Sequence, residues 1–271
     1  MPRLTRFLAL LAVLAIVQPV AVAQAAAEQV VISDGHVDLG PRFVDGQWTV
    51  QLRDDTGDEP QWRALSDVVL HVNDTARTAV PDDPAYDFLG DRGSPIWVLP
   101  QVEQSGVVWP GWNTQDPEVT AAIDREVTWR LHGVQGPGRF TLFLSGNFGA
   151  PTTIFGGTAP TPQETGIEVG THVHGNWVFS APGTYLLDLE MAASTKDRRE
   201  VADRRVLRVH VGDDTDPRSA FDVAVTEPEQ QAEPAPEPAG DRWWVWVGLG
   251  GALLVVAAVV IVVVRRRRGE R

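Results

Sequence analysis

Residues 171–193 read THVHGNWVFSAPGTYLLDLEMAA. Two runs within this stretch, 175–180 and 183–193, follow a period-two pattern, are rich in Val, Trp, Tyr and Leu, and are separated by a Pro-Gly pair. Period-two alternation broken by Pro and Gly is typical of β-strands joined by turns. The stretch therefore predicts two strands and a tight connection, with no helix.

Seven other runs between residues 28 and 211 show the same pattern. They are VVISDGHVDLG (30–40), WTVQLRD (48–54), DVVLHVND (67–74), PIWVLP (95–100), EVTWRLHG (126–133), GRFTLFLSG (138–146) and VLRVHVG (206–212). No stretch of about twelve residues in this region has helical periodicity. The nine runs predict an all-β fold, an immunoglobulin-like antiparallel β-sandwich. A β-barrel is the alternative architecture.

Apolar segments flank this region on both sides. Residues 1–25 combine an early Arg pair, an apolar run and small residues, which is the layout of a secretory signal peptide. Residues 245–264 are uncharged and long enough to cross a bilayer as a helix, with tryptophans before them and four arginines after. We expect a transmembrane helix over 243–264, a basic cytoplasmic tail over 265–271 and an extracellular domain over 26–211.

The segment 212–242 has a different composition. It contains nine acidic residues and five prolines and few apolar side chains. Such a segment cannot bury enough apolar surface to offset the entropy of ordering its chain. It predicts an acidic, Pro-rich disordered stalk between the folded domain and the membrane.

Charge and cysteine content exclude several functions. Residues 26–242 carry 16 basic and 35 acidic side chains, a net charge of −19. Nucleic-acid binding requires clustered Lys and Arg, so it is not expected, whereas an acidic surface attracts cations. The chain has no cysteine, which excludes disulfides, thiolate metal sites and cysteine nucleophiles.

Two pairs of potential metal ligands have the same spacing. His172 and His174 are two residues apart, as are His36 and Asp38. In a strand, residues i and i+2 project from the same face, so each pair can present two ligands to one ion. If the two strands meet, the set suits zinc, with copper(II), manganese or iron(II) as alternatives. His71 is a further candidate, and hydrogen-bonded core histidines are the competing interpretation.

Enzyme motifs are missing around these histidines. The positions after the second histidine are Asn176, Trp177, Val178 and Phe179, where a metallohydrolase or a cupin would carry Asp, His or Glu. The serine-hydrolase pattern GxSxG does not occur in the sequence either. We therefore expect a protein that is not an enzyme.

Tryptophans offer a second function. Trp109 and Trp112 bracket Pro110 and Gly111, a pair of turn-forming residues. Exposed rings at such a turn could stack on a cell-wall glycan or contact a protein, which makes adhesion the alternative function. Trp97 and Trp177 lie among apolar neighbours and are predicted to pack in the core.

Several motifs occur in a distinctive order. They are GHVDLG (35–40), DFLG (87–90), IWVLPQ (96–101), WPGWNT (109–114), GVQGPGRF (133–140) and the opening stretch 171–193. Together they resemble the actinobacterial surface-anchored domain called the choice-of-anchor M domain, over about residues 28–213. One departure is the last hairpin, where Asp197 and Arg198 replace an expected Asp-Gly turn.

The resemblance implies a function at the cell surface. Its members are signal-bearing, anchored by varied C-terminal devices, and often encoded beside an ABC transporter that resembles the metal-uptake type. It therefore implies an ABC transporter as a partner of this chain. It supplies no catalytic residues.

Overall fold

The computed structural model describes residues 28–146, 150–156 and 159–225. This part of the chain is mostly β-sheet, with one short α-helix, α1 (Pro117–Ala122), and a few 3₁₀ turns. The prediction of an all-β fold is confirmed, and the arrangement is consistent with a β-sandwich. In those same ranges no helix is long and apolar enough to span a bilayer. The predicted signal peptide, transmembrane helix and basic tail all lie outside the described residues.

The described strands are numbered in chain order. They are β1 (Val30–Ile32), β2 (Gly35–Val44), β3 (Gln47–Asp54), β4 (Gln61–Ala64), β5 (Val68–Val72), β6 (Arg77–Ala79), β7 (Pro95–Leu99), β8 (Val108–Asn113), β9 (Ile123–Gln135), β10 (Phe140–Ser145), β11 (Pro151–Gly156), β12 (Gln163–Glu168), β13 (His172–His174), β14 (Asn176–Phe179), β15 (Gly183–Thr195) and β16 (Glu200–Val211).

These strands form three sheets. A six-stranded sheet has the order β1-β5-β16-β15-β9-β12, and a five-stranded sheet has the order β11-β10-β14-β7-β6. The third, which we call the site sheet, has the order β13-β8-β2-β3-β4. In the site sheet, β8 lies between β2 and β13, so it holds apart the two strands that carry the predicted ligands.

Three strand pairs are parallel: β1 with β5, β5 with β16, and β2 with β8. The prediction of a wholly antiparallel fold is wrong for these pairs, although the other pairings are antiparallel. Alternation of apolar and polar residues fixes which face a side chain occupies but carries no information on strand direction. The relative direction of two paired strands depends on the connection between them, and the connections are long for all three pairs.

The core lies where the sheets face each other, and a tryptophan from each sheet marks its centre. Trp129 of β9 lies 5.3 Å from Trp112 of β8 and 6.2 Å from Trp177 of β14, measured between ring centroids. All three side chains are buried, and so is Trp97. The prediction that Trp97 and Trp177 pack in the core is confirmed. Truncating Trp129 to alanine would cost about 3–5 kcal/mol of folding free energy.

The hairpin of β15 and β16 is the longest in the fold. The two strands pair from Gly183–Val211 to Ser194–Glu200. In the connecting turn, Arg198 adopts a φ of 66°. This left-handed conformation is the one that an Asp-Gly turn would have given to its glycine. The turn geometry is thus kept although its usual residue is absent.

Residues 213–222, which were assigned to the predicted stalk, contact the folded domain. Residues Pro217–Asp222 form a 3₁₀ helix whose Ala220 is fully buried. Asp213 accepts a hydrogen bond from the backbone of Asp74, and the hydroxyl of Thr215 lies 3.0 Å from Nε2 of His210. These contacts attach residues 212–225 to the folded domain, which corrects the predicted boundary. The rest of the predicted stalk, 226–242, lies outside the described residues.

Candidate metal centre

The two predicted ligand pairs meet on one face of the site sheet. Strand β2 supplies His36 and Asp38, and β13 supplies His172 and His174. Strand β8 lies between them, with Gly111 paired to Asp38 on one side and to His174 on the other. The side chains of both pairs therefore converge over β8. The alternating residues Val37 and Leu39 point to the core, where they are buried.

Four ligand atoms form a compact group. The Nε2 atoms of the three histidines and Oδ1 of Asp38 provide one atom each, and all lie within 4.8 Å of one another. His172 Nε2 lies 2.9 Å from Asp38 Oδ1 and 3.1 Å from His174 Nε2. His36 Nε2 lies 3.3 Å from His174 Nε2 and 3.4 Å from Asp38 Oδ1. The separation of His174 Nε2 and Asp38 Oδ1 is 4.0 Å.

Most of these separations suit ligands of one metal ion. With metal–ligand bonds of about 2.0–2.1 Å, the ligand atoms of a tetrahedral zinc site lie roughly 3.3 Å apart. Four of the separations lie between 2.9 and 3.4 Å, and the separation of His174 Nε2 and Asp38 Oδ1 is wider, at 4.0 Å. The predicted convergence of the four residues is confirmed, and the group could hold a metal ion.

Gly111 leaves the space in which the group forms. A Cβ atom at this position would lie 2.5 Å from Asp38 Oδ1 and 2.8 Å from His174 Cε1. A Cβ atom essentially never makes a contact this short, so any side chain would displace both ligands. The requirement for glycine here comes from close approach of side chains, and the φ of Gly111 is not in the left-handed region.

Two outer residues orient the ligands. The Nδ1–H of His36 donates to Asp55 Oδ2 at 2.9 Å, which leaves Nε2 facing the other ligands. The side-chain amide of Asn113 donates to Asp38 Oδ2 at 3.1 Å, which leaves Oδ1 facing them. Such outer hydrogen bonds fix the tautomer and orientation of metal-binding side chains.

Trp109 covers one side of the group. Its ring stacks on His174 with centroids 3.8 Å apart and an angle of 13° between the planes. Trp109 and Trp112 belong to strand β8, so the predicted turn at Pro110 and Gly111 is wrong. Trp112 is only 5% exposed and packs in the core. The two rings do not form the flat exposed pair that adhesion would use.

The charge of Asp38 is the main electrostatic feature. Its side chain is fully buried, and its polar contacts are the three histidines and Asn113, with no Arg or Lys among them in the described chain. A buried carboxylate is costly unless a positive charge neutralises it. Burial acts to raise the pKa of Asp38, but hydrogen bonds from His36 and Asn113 and the charge of His172 hold that pKa below its usual range. The carboxylate therefore stays ionised and attracts a cation.

The histidines differ in how readily they accept a proton. The hydrogen bond to Asp38 raises the pKa of His36 despite partial burial, and Asp55 adds to the effect. Burial lowers the pKa of His174 to about 4, against the attraction of Asp38. Since His172 and His36 also oppose a further positive charge on it, His174 is neutral at pH 7. A neutral imidazole is the form that binds metal.

The remaining histidines lie elsewhere. His71 contacts Ser33 and Asp213, at 3.1 Å each, and is not part of the group. The prediction of His71 as a further ligand is therefore not supported by its position. His132 pairs with Glu190 at 2.8 Å, and His210 is buried beside Thr184 and Thr215, so both are strand residues with local partners.

Three residues of the site were not predicted from the sequence. Gly111 and Asn113 belong to β8, whose Pro-Gly pair is typical of a turn. Asp55 follows β3 and meets His36 only because β2 and β3 pair with Val37 opposite Asp54. The i, i+2 rule that found the ligands could also have placed Trp109, Gly111 and Asn113 on one face, had β8 been recognised as a strand.

Comparisons of the chain with models of known protein families, with curated proteins and with solved structures find no match. The resemblance to the choice-of-anchor M domain therefore stays a prediction from the motifs.

Proposed function

We propose that this protein binds one transition-metal ion through His36, Asp38, His172 and His174, and that it captures the ion without catalysing a reaction. The observation that carries the proposal is the convergence of four ligand atoms within 4.8 Å around a fully buried carboxylate. Among the described residues no Arg or Lys neutralises that carboxylate. A divalent cation bound by the four atoms would neutralise it.

The donor set favours zinc. Three imidazole nitrogens and one carboxylate oxygen, with no thiolate, suit Zn²⁺ in a tetrahedral site. The same donors accept copper(II), which prefers a square arrangement, and manganese and iron(II), which prefer octahedral sites with more ligands. Zn²⁺ has no geometric preference from its d electrons and accepts four such donors at unequal separations, which favours zinc.

We further propose that capture takes place at the cell surface. The apolar segments at both ends support a signal peptide and a single membrane anchor, with an immunoglobulin-like domain held outside. The net charge of −19 over residues 26–242 supports attraction of cations to that domain. By resemblance to the choice-of-anchor M domain, the partner that receives the ion would be an ABC uptake transporter.

Metal analysis tests the central part of the proposal. The purified protein is stripped with a chelator, titrated with zinc, and compared with a His172→Ala, His174→Ala double variant and with a His71→Ala control. We expect one equivalent of zinc for the wild type and the control, and none for the double variant. A folded wild-type protein that binds no zinc, or a double variant that binds as well as the wild type, would refute the proposal.

A further inference from the structure

The four ligands of the proposed metal centre are not held equally. Asp38 is fully buried and fixed by Asn113, and His36 is fixed by Asp55, which in turn pairs with Arg53 at 3.0 Å. His174 has a side chain only 10% exposed and stacked against an indole ring. Each of these three side chains therefore has a second contact that restricts its rotation.

Among the described residues, His172 has no such contact outside the group, because its ring neighbours are His36 and His174. Its side chain is 32% exposed, three times as much as that of His174. Within the described chain its ring bonds only through Nε2, to Asp38 and His174, and Nε2 is the atom that would face the metal. Nothing described there holds its Nδ1. Once the bond to the metal breaks, this ring is free to rotate into solvent.

His172 is the first residue of β13 and His174 the last, so both lie on a three-residue strand at the edge of the site sheet. The backbone before His172 is held, because the N–H and C=O groups of Thr171 both bond to Thr114. The freedom of His172 therefore lies in its side chain. The other pair of ligands comes from β2, which has neighbours on both sides.

A groove lies next to the group. Asn113, which pairs with His172 across the sheet and bonds to Asp38, lines a groove of about 290 Å³ together with Arg53, Trp62 and Gln115. A small ligand in this groove would contact Asn113, the strand neighbour of His172. The opposite side is covered by Trp109, stacked on His174.

We propose that His172 is the exchangeable ligand through which the bound ion is handed on. The metal–nitrogen bond to His172 breaks, the ring turns outward, and the lone pair of an incoming donor forms the replacement bond while His36, Asp38 and His174 retain the ion. This inference rests on the proposed metal function. It adds that the ion leaves on the side of His172. It also assigns unequal roles to four ligands that look equivalent in the sequence.

Release kinetics of single variants test this assignment. The protein is loaded with zinc and mixed with excess chromogenic chelator, and release is followed by absorbance for His172→Ala, His174→Ala and His36→Ala. His132→Ala, which removes a histidine outside the group, is the matched control. Circular dichroism of each variant confirms its fold.

We expect His172→Ala to keep one equivalent of zinc with an affinity lowered roughly 100-fold, about one ligand's share of a four-ligand site. Its release rate should rise by a similar factor. His174→Ala and His36→Ala should lose stoichiometric binding at micromolar zinc. Added imidazole should slow release from His172→Ala, because the vacated position is open to solvent, and should not restore His174→Ala.

Two results would overturn the assignment and are distinguishable from failure of the metal function itself. If wild-type protein binds zinc but His172→Ala loses as much affinity as His174→Ala, the ligands are equivalent. If imidazole rescues the buried His174→Ala position and not His172→Ala, release proceeds from the other side. If wild-type protein binds no zinc, the proposed function fails, and this inference fails with it.

Discussion

Among single residues, Gly111 matters most for the site, because its lack of a side chain leaves the space that the ligands occupy. The substitution Gly111→Ala would place a methyl group 2.5 Å from Asp38 Oδ1 and 2.8 Å from His174 Cε1. We expect zinc affinity to fall by about 10–100-fold or more, as when the supports of metal ligands are disturbed. Overpacking should also lower the free energy of unfolding by about 1–3 kcal/mol.

The matched control for this substitution is Gly133→Ala. Gly133 also lies in a strand, but a Cβ atom there would meet nothing within 4 Å. Zinc titration and denaturant unfolding of both variants provide the comparison. Equal affinities for the two variants would show that the space over Gly111 is not needed by the ligands.

The titration of His36 predicts how zinc binding depends on pH. Its pKa is raised by Asp38 and Asp55, so a proton occupies the ring at pH values where a free histidine is neutral. Zinc must displace that proton, so affinity should fall as the pH drops below the raised pKa, about tenfold per pH unit for one proton. His174, with a pKa of about 4, adds no competing proton in this range.

The raised pKa of His36 affects the stability of the metal-free protein in the opposite direction, because lower pH stabilises that protein while it weakens zinc binding. Because the pKa of His36 is raised in the folded state, the protonated ring stabilises that state at pH values below the usual histidine pKa. This stabilisation is lost as the pH rises through the raised pKa. Zinc titrations from pH 8 to pH 5.5, with calorimetry in buffers of different ionisation enthalpy, would count the displaced proton. Affinity that does not change over this interval would contradict the assignment.

At the scale of elements, the hairpin between β15 and β16 offers a test independent of the metal. Arg198 is held at a φ of 66°, a conformation that costs a non-glycine residue about 1–2 kcal/mol. After allowing for the greater chain entropy of glycine, Arg198→Gly should raise the free energy of unfolding by about 0.5–1 kcal/mol. Arg199→Gly, at a turn position without positive φ, should lower it. Denaturant unfolding that ranks the two variants the other way would contradict this account of the turn.

Strand β8 was not predicted from the sequence, which indicated a turn in its place. Pro110 and Gly111 are turn residues by propensity, and a proline within a central strand removes a ladder hydrogen bond. The structure accommodates Pro110 because β13 pairs only with Gly111–Asn113, so Pro110 lies opposite no residue of that strand. This relief depends on tertiary pairing, which local propensity does not contain.

Strands with strong alternation, by contrast, were predictable. The runs 126–133, 183–193 and 206–212 fall within or largely overlap β9, β15 and β16 and carry large apolar residues on the buried face, although the first half of β16 was not predicted. The same alternation placed both ligand pairs correctly, since it fixes the face of each side chain. What it could not supply was the neighbour of each strand, and with it Asp55 and Asn113. Their contacts depend on the register between β2, β3 and β8.

At the scale of the whole molecule, one sheet serves two purposes. The inner face of the site sheet packs Trp112 against Trp129 of the large sheet, while the outer face carries the four ligands. His36 and Asp38 thus stand on a central strand with a buried core behind them, which favours preformed positions for these two ligands. Acidic side chains over the rest of the domain add a long-range attraction for cations.

The most direct test of the central claim is a crystal of the zinc-loaded protein, with anomalous diffraction recorded on both sides of the zinc absorption edge. We expect a single strong zinc peak about 2.0–2.2 Å from Nε2 of His36, His172 and His174 and from Oδ1 of Asp38. Zinc found only at other positions, such as beside His71 and Asp213, or no zinc in a well-ordered crystal, would contradict it.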